Sequence, residues 1–140
     1  AGLIRLELEE RIQQFIDSDV MLPAVGQGAV GIECRVDDQQ TLDLLAVLNH
    51  ADTATIVTTE RGFNTRLNGG CQVPIAGYAE QKGSEIFFRG LVASVDGKQV
   101  FYTEKLGLPE EAEQIGIAAA EELLKAGAKS VLDEVYGNKQ

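Results

Sequence analysis

The residues best placed to do chemistry lie in the tract Asn68-Gly69-Gly70-Cys71-Gln72-Val73-Pro74, where one thiol follows two glycines and precedes a proline. Glycine lifts the side-chain restriction on backbone shape, so a sulfur set beside it is displayed on a loop as a chemical handle. Free cysteine is also among the most buried residue types, packing as a small hydrophobe. The tract alone leaves both readings of Cys71 open. A helix is predicted to end just before it, and that end carries the negative pole of the helix dipole. The dipole therefore does not lower the thiol pKa, and any activation of the sulfur must come from elsewhere.

Other candidates are few. Cys34 lies in Val30-Gly31-Ile32-Glu33-Cys34-Arg35-Val36, where Val30, Ile32, Cys34 and Val36 share one face of a predicted strand; Cys34 is expected in a core. Two cysteines so far apart make no disulfide framework, and no Cys/His cluster has metal-ligand spacing. Thiol redox exchange is disfavoured, because there is no Cys-x-x-Cys and no basic residue beside Cys71. His50, the single histidine, is expected at a helix end or on the surface, which leaves no Ser/His or Cys/His pair. The formal charge of -10 makes nucleic acid a poor partner, since phosphate binding needs clustered Lys and Arg. An anionic ligand would need a few arginines acting locally, which is feasible because exposed charges are screened beyond about 8 Å at physiological salt. With 44% hydrophobic and 24% charged residues the 140-residue chain has an ordinary globular balance. No apolar run is long enough to span a bilayer and no charged-then-apolar leader is present, so a soluble cytoplasmic protein without membrane contact is expected.

Several elements must position these groups. Leu8, Ile12, Phe15 and Ile16 fall at helical spacing and predict one amphipathic helix, followed by Leu22-Pro23 and an extended stretch. Asp37 and Asp38 can cap a helix with an inner stripe of Leu42, Leu45 and Leu48. A second helix is predicted from Ala51 to Leu67, stopped by left-handed glycine in Asn68-Gly69-Gly70. Three strand-like runs follow, Ala76 to Glu80, Glu85 to Val95 and Lys98 to Leu106, with Asp96-Gly97 a two-residue hairpin signal; they predict an antiparallel meander. Pro109-Glu110-Glu111 opens a long helix lined by Ala112, Ile115, Ala119 and Leu123, ended by Gly127. Ser130 with Asp133 resembles a capping box for a last helix carrying Leu132, Val135 and Tyr136. The expected fold class is α+β: a small three-stranded antiparallel sheet covered on one face by helices, preceded by helix and strand remnants of two α/β domains. The chain opens at Ala1, with Met21 its only methionine, and is expected to be a piece of a longer polypeptide.

Four tracts together resemble the C-terminal half of the porphobilinogen deaminase (hydroxymethylbilane synthase) family: Leu22-Pro23-Ala24-Val25-Gly26-Gln27-Gly28-Ala29 with Glu33-Cys34-Arg35, then Thr59-Glu60-Arg61, Asn64-Thr65-Arg66-Leu67, and Gly69-Gly70-Cys71-Gln72-Val73-Pro74-Ile75. The match runs in order from Ala1 to Tyr136. The resemblance implies three parts: residues 1–22 from the end of domain 2, residues 23–49 a crossover belonging to domain 1, and residues 50–140 the C-terminal domain 3. It implies a transferase of tetrapyrrole biosynthesis, acting as a monomer, that condenses four porphobilinogen molecules into hydroxymethylbilane with loss of ammonia. The implied cofactor is dipyrromethane, thioether-linked at the position of Cys71.

Arg5 and Arg35 match family positions that contact cofactor or substrate carboxylates, and Gln27 matches a third binding position. Pyrrole rings bearing acetate and propionate call for guanidinium partners, whose fork matches a carboxylate. The alternative for Arg35 is a pairing with a surface neighbour, and for Arg5 simple solvation. Gln27 and Arg35 are about 26 Å apart if the chain is fully extended, so unless the chain bends at the glycines they would serve different rings. Glu60, Arg61 and Arg66 are expected in a structural ion pair that positions the loop. The family's catalytic aspartate has no counterpart in this sequence, so no catalytic residue is assigned. The expected partners are porphobilinogen, polypyrrole intermediates and the N-terminal half of the enzyme, without which the chain should be inactive. The competing expectation is a non-catalytic binding or interaction module that kept the C-terminal domain.

Overall fold

A computed structural model describes residues 2–70 and 73–137. Its core is built by two helices against a sheet. Helix α3 (Ala51–Arg66) and helix α4 (Ala112–Leu123) lie on one face of an antiparallel sheet of β1 (Ile75–Lys82), β2 (Glu85–Ala93) and β3 (Val100–Gly107), in the order β1-β2-β3. Strand β2 alternates as a half-covered strand must. Ile86, Phe88 and Val92 point into the core, while Phe87 and Leu91 lie on the outer face with Arg89 between them. Phe63 of α3 meets Phe88 with ring centroids 5.0 Å apart and planes tilted by 57°, an edge-on geometry that aromatic quadrupoles favour. Leu67, Ile86, Ile115, Leu123 and, from the last helix, Val131 and Leu132 join the cluster, and each large side chain so buried contributes about 1.5–3 kcal/mol.

The two helices approach closely because each carries a glycine at the crossing. A Cβ on Gly62 would stand 2.6 Å from the Glu113 carbonyl oxygen, and one on Gly116 would collide with the Thr59 carbonyl. Backbone therefore packs on backbone at this crossing, as in the close approach that small residues allow.

Both expected helix starts form as the local chemistry requires. Asp38 caps α2 (Gln39–Ala46) by accepting the Thr41 N–H at 3.1 Å, and His50 caps α3 by accepting the Thr53 N–H on Nδ1 at 3.3 Å. Pro109–Glu111 forms a 3-10 turn leading into α4. A π turn at Leu124–Ala128, with Gly127 at φ 108°, leads into α5 (Lys129–Gly137).

The differences from expectation in the leading segment share one cause. The amphipathic stripe around Leu8–Ile16 does not make one helix: α1 covers only Gly2–Arg5, Glu7 adopts φ 56°, and a 3-10 turn spans Glu9–Arg11. Phe15 and Ile16 are 79% and 57% exposed, so the stripe is covered only in part, and most helical stability in proteins comes from such packing. Val30–Val36 forms no strand, because no neighbouring strand pairs its N–H and C=O groups. Cys34, expected in a core, is exposed. The two-residue turn lies elsewhere than expected: Lys82 pairs with Glu85 across Gly83-Ser84, whereas the Asp96-Gly97 connection runs from Ala93 to Val100. Ser130 donates to the Gly127 carbonyl while Asp133 pairs with Lys129, so the two make no capping box.

Candidate functional site

The exit from α3 is fixed from several sides. Leu67 is buried and holds the last turn against the core. Asn68, rather than a glycine, takes the left-handed conformation at φ 54°, which asparagine tolerates best among residues with a side chain. The Gly69 N–H donates to the Asn64 carbonyl at 2.8 Å, and Asn64 Nδ2 donates to the Gly69 carbonyl at 3.3 Å. A side chain on Gly69 would collide with that Asn64 amide, so any larger residue would displace Asn64 from this bond. From α5 the Tyr136 hydroxyl donates to the Asn68 carbonyl. Gly70, by contrast, is exposed, and a Cβ there would meet nothing within 4 Å among the described residues. The Val73 N–H donates to the Gly70 carbonyl at 3.0 Å, bringing the two flanks of Cys71 together at the surface. Cys71 itself lies outside the described residues.

Glu60 organises the other side of α3. Its buried carboxylate accepts the Gly26 N–H at 2.7 Å on Oε2 and the Ala79 N–H at 2.9 Å on Oε1. Burial raises its pKa above the ordinary glutamate value, and the two backbone N–H bonds only partly offset that. The expected ion pair is therefore not what Glu60 makes. Among its helix neighbours it is Arg66 that pairs across helices, with Glu121 at 2.6 Å.

Gln27 is exposed and lines a cavity of about 270 Å³ together with Glu60, Tyr78 and Pro23. A larger cavity of about 780 Å³ lies between the 25–34 segment, α2 and α3, and Arg61, Asn64, His50 and Cys34 reach it. Arg35 lines neither cavity; its side chain is 80% exposed and donates to Asp38 at 2.8 Å, the surface pairing that was its alternative reading. Arg5 ends α1 on the surface. The structure thus sets Gln27 beside α3 and does not gather Arg5 or Arg35 into either cavity.

One charged residue escaped sequence reasoning altogether. Arg89, in the middle of β2, is 5% exposed on the sheet's outer face. It donates to the Asp19 carboxylate through Nη1, to Ser18 Oγ at 2.9 Å through Nη2, and lies 3.7 Å from Glu80. Its guanidinium carbon stands 5.5 Å from the Tyr78 ring centroid and 5.8 Å from that of Phe87. Burial opposes its charge, but Asp19 and Glu80 outweigh burial and hold its pKa above the ordinary arginine value. The only available signal was a lone arginine within the apolar run Ile86-Phe87-Phe88-Arg89-Gly90-Leu91-Val92.

Among the described residues no group of three or more His, Cys, Asp or Glu side chains could hold a metal ion, and no helix is long and apolar enough to cross a membrane. Two family models match the chain. Residues 54–125, just over half of it, match "porphobilinogen deaminase, C-terminal domain", and residues 1–43 match "porphobilinogen deaminase, dipyromethane cofactor binding domain". The first match covers all but the first three residues of α3, the whole sheet and α4; the second covers the segment that carries Gln27 and Arg35. The chain belongs to the porphobilinogen deaminase family, transferases of porphyrin and tetrapyrrole biosynthesis that work with a dipyrromethane cofactor.

Proposed function

We propose that this chain supplies the anchoring part of a porphobilinogen deaminase: Cys71 Sγ holds dipyrromethane through a thioether, and Gln27, Arg35 and Arg5 bind carboxylate and pyrrole groups along the cofactor and the growing product. The observation that carries this reading is the exit from α3, where Asn64, Asn68, Gly69 and Tyr136 fix the backbone up to an exposed, unobstructed Gly70. Such a segment suits a covalently held, bulky and highly charged group. Arg35 fits the same group, since only one of its terminal nitrogens is occupied by Asp38 and the rest of its fork faces solvent.

When bound, dipyrromethane supplies the primer on which four porphobilinogen units are joined to give hydroxymethylbilane with release of ammonia. Cys71 keeps that primer from diffusing away between additions, which replaces repeated capture from solution by a local encounter. The arginines offset carboxylate charge that a chain of net charge -10 would otherwise repel. Gln27 offers an amide donor and acceptor at the mouth of the smaller cavity. In this reading residues 1–22 belong with domain 2, residues 23–49 with domain 1, and residues 50–140 form domain 3. The catalytic aspartate then comes from the N-terminal half of the enzyme, and the chain alone is inactive.

Intact mass tests the assignment. Incubated with porphobilinogen and the N-terminal half, the chain should gain the mass of dipyrromethane, while Cys71→Ser stays at the bare polypeptide mass with an unchanged circular dichroism spectrum. A wild-type chain that remains at its bare mass under those conditions sinks the Cys71 assignment. Bilane release by the chain alone would sink the claim of inactivity.

A further inference from the structure

Residues 18–26 pass around the edge of the sheet. At one end Ser18 and Asp19 sit on the outer face against Arg89; midway the Pro23 carbonyl accepts the Gly77 N–H of edge strand β1 at 3.2 Å; at the other end Val25 packs on the core and Gly26 donates to Glu60 on the helix face. Two buried charges of opposite sign, on opposite faces of the sheet, thus hold the ends of one strap. Arg89 is the more telling of the two. A buried cation among aromatic rings is costly unless paired, and without the strap its nearest described partner is Glu80 at 3.7 Å. Its Nε is buried and has no hydrogen-bond partner among the described residues, so its pairing rests on the two terminal nitrogens that the strap engages.

We propose that Arg89 is a positioning residue: it latches the Ser18–Asp19 turn to the outer sheet face and thereby sets the path of the strap that delivers Gln27 to the smaller cavity. The role given to Gln27 rests on the function proposed above; the latch itself does not. A residue that served only the sheet could be apolar at this site, like its neighbours Phe87 and Leu91. A guanidinium instead reads the carboxylate and hydroxyl of a segment 70 residues away in sequence.

Hydrogen exchange on the full chain, resolved by segment, tests this with Arg89→Met, Asp19→Asn, Asp19→Glu and the Arg89→Met/Asp19→Asn double variant. Asp19 is exposed, so its replacement leaves the core intact even if Arg89→Met does not fold. Exchange over residues 17–28 should rise about tenfold in Asp19→Asn and in Arg89→Met, no further in the double variant, with β2, α3 and α4 unchanged. Asp19→Glu should restore protection. Unchanged exchange at 17–28 in Asp19→Asn, additive effects in the double variant, or a wild-type segment exchanging like free peptide would overturn the latch. Adding porphobilinogen to the wild-type chain addresses the other claim: failure to protect Gln27 while the variants behave as expected would remove its binding role and leave the latch standing.

Discussion

Glu60 is a carboxylate placed where water is excluded, and its behaviour with pH should betray it. Its pKa is raised above the ordinary 4.5, so the folded chain binds that proton more tightly than the unfolded chain does. Stability should then fall as pH rises from about the ordinary value through the raised one, and be recovered on acidification across the same window. Glu60→Gln, which cannot ionise, should lack that slope; urea titrations of both proteins at a series of pH values give the comparison directly. At neutral pH the same variant should lose about 1–3 kcal/mol, because an amide offers one acceptor to two backbone N–H groups. An identical pH slope in both proteins would remove Glu60 as its source. Residues that act through near neighbours were legible from the sequence: Asp38 and His50 each cap a helix using a donor three positions on. Glu60 and Arg89 were not, because their partners lie 34 and 70 residues away and only the fold brings them together. Cys34 misled for the same reason, since alternation marks a buried face only if something arrives to cover it.

At the level of elements, the α3–α4 crossing is the tightest joint in the molecule. Gly116→Ala should destabilise the chain by about 1–3 kcal/mol, since the new methyl meets the Thr59 carbonyl and the helices must separate, as overpacking of a close contact generally requires. Chemical denaturation measures this, and a Gly116→Ala variant as stable as wild type would show that the crossing relaxes without cost. The meander and both long helices could be read from periodicity and turn residues because each carries its own signal and finds its complement within residues 50–136. The leading segment carried signals of equal strength, yet Phe15 and Ile16 stay exposed and the stripe as a whole is not covered. Pattern predicts an element only when its partner is also present.

Across the whole molecule, order follows burial. Val30 and Val36 are 90% and 93% exposed, while α3, α4 and strand β2 supply Phe63, Leu123, Phe88 and Ile86 to the core. Amides over residues 30–37 should exchange within about tenfold of free-peptide rates, whereas those of α3 and α4 should exchange only through global unfolding. Uniform strong protection over both regions in a monomeric sample would contradict this division. The two edges of the sheet also differ. The β1 side is occupied by the strap through the Pro23–Gly77 bond, while the sheet ends at β3 among the described residues. A sheet blocked on one side can recruit foreign strands on the other side only. Two copies meeting through β3 would use up both open edges at once, so edge pairing would stop at a closed pair and could not propagate into a fibre.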